Sequence, residues 1–194
     1  MSLVVAIRKD GVVYLGADTR TTSGDEIESY LSPTAHKVRR VGSCYLGAVG
    51  NVASLQLAKI HPEWLELGDA PLTKRYLVCE VVPKLYEIYL KAGRVEEPGG
   101  ADESVNSGCV LLVTDGERIF KINESLTVFE MGDFCAIGAT EPMADAVFAK
   151  AKDTDTPREL LLRALRISAH FHESVGAPYL LVDTENNEIE IVEE

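Results

Sequence analysis

The first fifty positions alternate between short apolar runs and pairs of turn-forming residues. Residues 2–8 are rich in Val and Ile, Asp10-Gly11 is a two-residue hairpin signal, and residues 12–17 supply the partner strand. A polar stretch, residues 19–33, interrupts the pattern. A second apparent pair follows, 37–41 and 44–49, around Gly42-Ser43. Gly50-Asn51 ends it, and Asn51 is placed to cap a helix running to about residue 60.

The spacing then switches from two to between three and four. Thr73 can cap a helix over residues 74–92 that Gly93 closes, with Leu77, Val78, Val81, Leu85, Ile88 and Tyr89 on one face. Pro83 inside it predicts a kink or two short helices. Residues 94–107, rich in Gly, Glu and Asp, read as an exposed loop. Residues 109–114 and 118–122 flank Asp115-Gly116, a further hairpin with a two-residue turn, and 126–130 and 134–137 read as two more strands. Thr140 opens a helix to about residue 151. Thr156-Pro157-Arg158-Glu159 is a strong start for another, with Thr as cap, Pro at the first helical position and Glu completing a capping box. Residues 179–182 and 188–191 form a closing hairpin around Asn186-Asn187.

No linker or repeat divides residues 1–194, so one domain is expected. Short hairpin connections imply antiparallel sheets, and helix pairs must cover sheet faces. The reading is therefore α+β, with two antiparallel sheets face to face and helix pairs outside. At 194 residues and 46% hydrophobic content, such a chain builds its core without a metal or disulfide staple.

Charge and cysteine usage narrow the partners. Against 19 basic residues stand 31 acidic ones, a net charge of −12, which argues against nucleic acid. Apolar runs such as 110–113 and 179–182 are too short for a bilayer span, and residues 1–8 do not have the form of a signal peptide. Cys44, Cys79, Cys109 and Cys135 lie far apart, form no Cys-x-x-Cys pair and each sit in an apolar stretch. They read as reduced core residues of a cytoplasmic protein.

Most titratable residues suggest no chemistry. Glu185, Glu188, Glu190, Glu193 and Glu194 form a solvated acidic tail. His170 and His172 with Glu173 invite a metal reading, but histidines two apart leave a helix on different sides and no third ligand follows. No metal or cofactor is expected, and His36 and His61 read as structural. Ser2 is different. Directly after Met1, a small residue is the situation in which the initiator is trimmed. Trimming leaves a hydroxyl beside a free α-amine, whose pKa of roughly 7.7–8.0 suits it to take a proton near neutrality. Nucleophile and base then share one residue.

From Ser2 to Gly24 the chain reads Ser-Leu-Val-Val-Ala-Ile-Arg-Lys-Asp-Gly-Val-Val-Tyr-Leu-Gly-Ala-Asp-Thr-Arg-Thr-Thr-Ser-Gly. This stretch resembles the start of a mature proteasome β subunit and of the bacterial peptidase HslV of the same superfamily. The resemblance continues through Lys37-Val-Arg-Arg40, Gly47-Ala-Val-Gly-Asn51 and Ala136-Ile-Gly138. It implies a four-layer αββα sandwich of the N-terminal-nucleophile hydrolases and a peptidase assembled into homo-oligomeric rings. Peptides or unfolded proteins are the implied substrate, and an ATP-dependent unfoldase the implied partner.

Carried over by position, Ser2 is the nucleophile, where the family normally has threonine. Asp18 and Lys37 are the acid and the lysine that tune it. Gly50 offers its N–H to the oxyanion, and Thr22 pairs with substrate main chain. The chain departs from the pattern after Gly138: Ala139, Thr140 and Glu141 stand where a serine and glycines are usual, and only Glu173-Ser174 approaches the expected Asp and Ser further on. Two other readings stay open: a catalytically silent assembly subunit that keeps Met1, and an amidase or transpeptidase using the same nucleophile.

Overall fold

The computed structural model describes residues 2–23, 26–29, 37–68, 71–95 and 105–193, with main chain alone for 21–29. The chain opens with the hairpin β1 (Leu3–Lys9) and β2 (Val12–Asp18), turned by Asp10 and Gly11 at φ 53° and 85°. Next come a two-stranded ribbon, β3 (Arg20–Ser23) and β4 (Glu26–Ser29), and then β5 (Val38–Val41) and β6 (Cys44–Gly50). The ribbon lies in the stretch read from sequence only as a polar interruption, because Arg20–Ser23 and Glu26–Ser29 hold a single apolar residue, Ile27, and so carry no hydrophobic period. Helix α1 (Val52–Ile60) starts where expected: Asn51 Oδ1 accepts from the N–H groups of Ala53 and Ser54.

The helical segment after Thr73 is α2 (Lys74–Tyr76), a π turn (Leu77–Val81) and α3 (Val82–Lys91). Pro83 has no N–H to donate back along the helix, and the wider turn just before it, with Val82 N–H on the Leu77 carbonyl, absorbs the mismatch. The extra residue rotates the face. Leu77, Val81, Leu85 and Tyr89 are buried, whereas Val78 is exposed, contrary to the face expected for it. Cys79 is exposed too, which corrects its reading as a core residue; Cys44, Cys109 and Cys135 are buried. Of the loop expected over 94–107, residues 96–104 lie outside the described residues, and Val95 and Ser107 are buried rather than exposed.

The second half adds β7 (Cys109–Thr114), β8 (Ile119–Ile122), β9 (Val128–Glu130), β10 (Phe134–Gly138), α4 (Glu141–Phe148), α5 (Pro157–Phe171), β11 (Tyr179–Asp183) and β12 (Glu188–Val192). The β7–β8 turn is not two residues long. Thr114 pairs with Ile119, and the Asp115 carboxylate caps the longer turn by accepting from Glu117 N and Arg118 N. Asp183 does the same for the last hairpin through Glu185 N and Asn186 N. Thr140 makes no cap bond to α4, which ends at Phe148 in tight i−3 bonds, short of residue 151. The Thr156–Glu159 capping box forms as read.

Two five-stranded antiparallel sheets result, ordered β10-β1-β2-β11-β12 and β5-β6-β7-β8-β9. Val4, Ala6, Leu15, Leu112, Ile137 and Leu180 meet between them. Outside, α1 and α3 cover one sheet around Trp64, Leu85 and Tyr89, and α4 and α5 cover the other around Phe148, Leu161 and Leu165. The architecture is the expected αββα sandwich. Each fully buried Leu or Val contributes about 1.5–3 kcal/mol. Gly47 sets the close approach of the layers, since a Cβ there would lie 2.7 Å from Val4 Cγ1. On β12, Ile189 and Ile191 remain exposed.

Candidate active site

Strand register brings four chain segments to one end of the sandwich. Leu3, at the start of β1, pairs with Gly138, and Val4 with Ala17, next to Asp18 at the end of β2. On the facing sheet Ala48 N donates to the Lys37 carbonyl at 3.0 Å, two residues before Gly50 ends β6. Val4 over Gly47 ties the two sheets together there. Ser2, Asp18, Lys37 and Gly50 thus share this end.

Asp18 is the hub. Its side chain is 0% exposed and that of Lys37 is 8% exposed. Asp18 Oδ1 lies 2.7 Å from Lys37 Nζ and accepts from Leu3 N at 2.8 Å; Oδ2 accepts from Arg20 N at 3.1 Å. Lys37 Nζ also donates to the Arg20 carbonyl at 2.5 Å. The carboxylate therefore holds both the ammonium and the main chain immediately after Ser2. Burial pushes the Asp18 carboxyl up and the Lys37 ammonium down from their ordinary values, opposed in each case by the attraction between them. Removing either partner would leave the other charged and dry.

Ser2 is fixed by its own main chain as well. Its carbonyl accepts from Ala139 N at 3.0 Å, and Gly138 is needed beside it: at φ 119° a Cβ would run into that carbonyl oxygen. Gly50 has the same constraint at φ 118°, where a Cβ would run into the Gly108 carbonyl, which Asn51 N also binds at 2.8 Å. It is exposed at the strand end, as a donor to a bound molecule must be. Thr22 sits in the β3–β4 ribbon opposite Ile27. His36 and Met1 lie outside the described residues.

Two features were not read from sequence. Arg20 bridges the site to the chain after α5: its guanidinium donates to the Glu173 carbonyl at 2.6 Å and occupies the space a Cβ at Gly176 would need. Ser174 is buried, and its hydroxyl shares a hydrogen bond of 2.8 Å with His172 Nδ1, so this pair is engaged locally rather than set up for metal. Among the described residues no group of three or more His, Cys, Asp or Glu side chains could hold a metal ion. No described helix is long and apolar enough to cross a membrane.

The layers and the strand order define the class by fold alone: a four-layer αββα sandwich that is shared with solved structures of BPH and Anbu proteins. Solved structures that match include BPH of Thiobacillus denitrificans, at 24% identity and TM-score 0.71 over 98% of both chains, and Anbu proteins. Anbu described as an ancestral β-subunit, from Yersinia bercovieri, matches at 18% identity and TM-score 0.71 over 99% of this chain and 87% of that one. A Gly-1 mutant of Anbu from Hyphomicrobium sp. strain MC1 matches at 20% and 0.72 over 100% and 87%. No protein-family model and no curated protein matches the sequence.

Proposed function

We propose that the chain is an N-terminal-nucleophile hydrolase that cleaves peptide bonds within a homo-oligomer. The observation that carries this reading is the buried Asp18–Lys37 pair whose carboxylate also grips Leu3 N, one residue from Ser2. With Met1 removed, the α-amine of Ser2 takes the proton of its own hydroxyl as Oγ attacks the peptide carbonyl. The Lys37 charge favours the neutral amine and an acidic hydroxyl. The N–H of Gly50 receives the oxyanion, and the main chain at Thr22 aligns an extended substrate. The protonated amine then gives its proton to the substrate's leaving nitrogen as the C–N bond breaks, and water hydrolyses the resulting ester on Ser2 Oγ. No cofactor enters.

Two of the similar proteins favour this reading. BPH has been solved in complex with epoxomicin, and Anbu of Pseudomonas aeruginosa as a helical assembly. An oligomer is proposed on that basis, and an ATP-dependent unfoldase feeding it on the resemblance of the first fifty residues alone.

Intact mass before and after treatment with a peptide boronate or β-lactone tests the chemistry. The active protein lacks Met1 and gains the probe's mass at Ser2. A fully active sample in which every chain begins with Met1 would overturn the mechanism. Chains that keep Met1 and stay inert would make this a silent assembly subunit.

A further inference from the structure

Next to Gly50 lies a polar recess of about 290 Å³, walled by Asn51, Ser54, Arg94, Asn106, Ser107 and Gly108. Three separate segments build it: the cap of α1, the end of α3 and the approach to β7. The first wall is already satisfied, since Asn51 Oδ1 takes the free N–H groups of α1. Asn106 Oδ1 accepts from Gly108 N at 2.9 Å. With both amide oxygens turned to main chain, both amide NH2 groups are left as donors. The α3 end is closed by Gly93 at φ 63°, with Gly93 N on the Leu90 carbonyl and Arg94 N on the Tyr89 carbonyl. That closure fixes the main chain of Arg94 at the rim, where its exposed guanidinium makes no ion pair with any described residue.

The charge is out of keeping with the chain. Among the described residues no acidic side chain lines the recess, while one cation and two amides do. Its wall is continuous with Gly50 through the Gly108 carbonyl. A peptide whose carbonyl rests on Gly50 N–H would therefore bring a neighbouring side chain to the recess. We infer that this recess is a specificity site for an acidic side chain of the bound peptide, Asp or Glu, with Arg94 as counter-ion. Its placement along the substrate rests on the proposed role of Gly50, whereas the binding it predicts requires no turnover.

Fluorescence anisotropy tests it with dye-labelled peptides that differ at one position, Asp, Asn or Lys, on the full-length protein and on Ser2→Ala. The Asp peptide binds about fivefold more tightly than the Asn peptide, and the Lys peptide more weakly still. Arg94→Glu reverses the order. Asn106→Asp keeps the acceptor for Gly108 N and weakens the Asp peptide selectively, which guards against a loop collapse in the first variant. Equal binding of the three peptides, no binding of any, or an unchanged order in a folded Arg94→Glu protein overturns the inference. Cleavage of the same peptides scores the nucleophile separately. Charge-ranked binding without cleavage keeps the recess and removes Ser2; cleavage without charge ranking does the reverse.

Discussion

Lys37 is where chemistry and stability meet, because it faces a carboxylate that is entirely dry. Lys37→Ala strands that charge, at a cost of about 3–5 kcal/mol, so the melting temperature falls by about 10 °C and peptide turnover by orders of magnitude. Pairing Lys37→Met with Asp18→Asn removes both charges and recovers much of the stability, but not turnover. Lys37→Arg fails as well, since a planar guanidinium does not fit the ammonium's place. Wild-type turnover in any folded variant lacking Lys37 would exclude it from the mechanism. A second lysine reports on pH. Burial, with Arg39 and Lys37 nearby, pulls Lys59 down to about 8. Between pH 8 and about 10.4 the unfolded chain holds a proton there that the folded chain has lost, so this group makes stability rise with pH across that window. Urea midpoints at pH 7.5, 9 and 10 should rise less in Lys59→Met than in wild type. The thiols separate by burial: burial pushes Cys44 up to about 11 and Cys135 up to about 12, while Cys79 is exposed. Native thiol titration at pH 8 should find one fast group, lost in Cys79→Ser.

At the scale of elements, local chemistry set most boundaries. Thr156→Ala removes half of a capping box and should cost about 1 kcal/mol in a denaturant melt, without moving the site. Gly138→Ala should cost more and abolish reaction at Ser2, because its Cβ displaces the very carbonyl that anchors the nucleophile. The hairpins at Asp10-Gly11 and Gly42-Ser43, the Asn51 cap and the α5 start were legible because each rests on neighbours in sequence. What failed rests on features that neither a fixed hydrophobic period nor a residue's turn preference contains. The π turn before Pro83 rotated Val78 and Cys79 outward, a shift that no helical wheel of fixed pitch contains. Asp115 lengthened the β7–β8 turn by accepting from the main chain of Glu117 and Arg118. Ser2, Asp18, Lys37 and Gly50 could be named from motif, and the sheet register then put them at one end. The hold of Arg20 on Glu173 spans 153 residues and left no local trace.

For the molecule as a whole, the proposed oligomer is checked by light scattering at micromolar concentration: a mass of many chains is expected, and that of one chain would refute it. The wiring of the site has a consequence for biosynthesis. Ser2 is seated by Ala139, Asp18 is paired with Lys37, and Arg20 rests on Gly176. The proposed nucleophile, Ser2, is thus positioned by residues far along the chain. A copy still being made, or a fragment ending before residue 139, has Ser2 but not its seat. On the proposed mechanism such a fragment is inert, and hydrolysis waits on a folded copy.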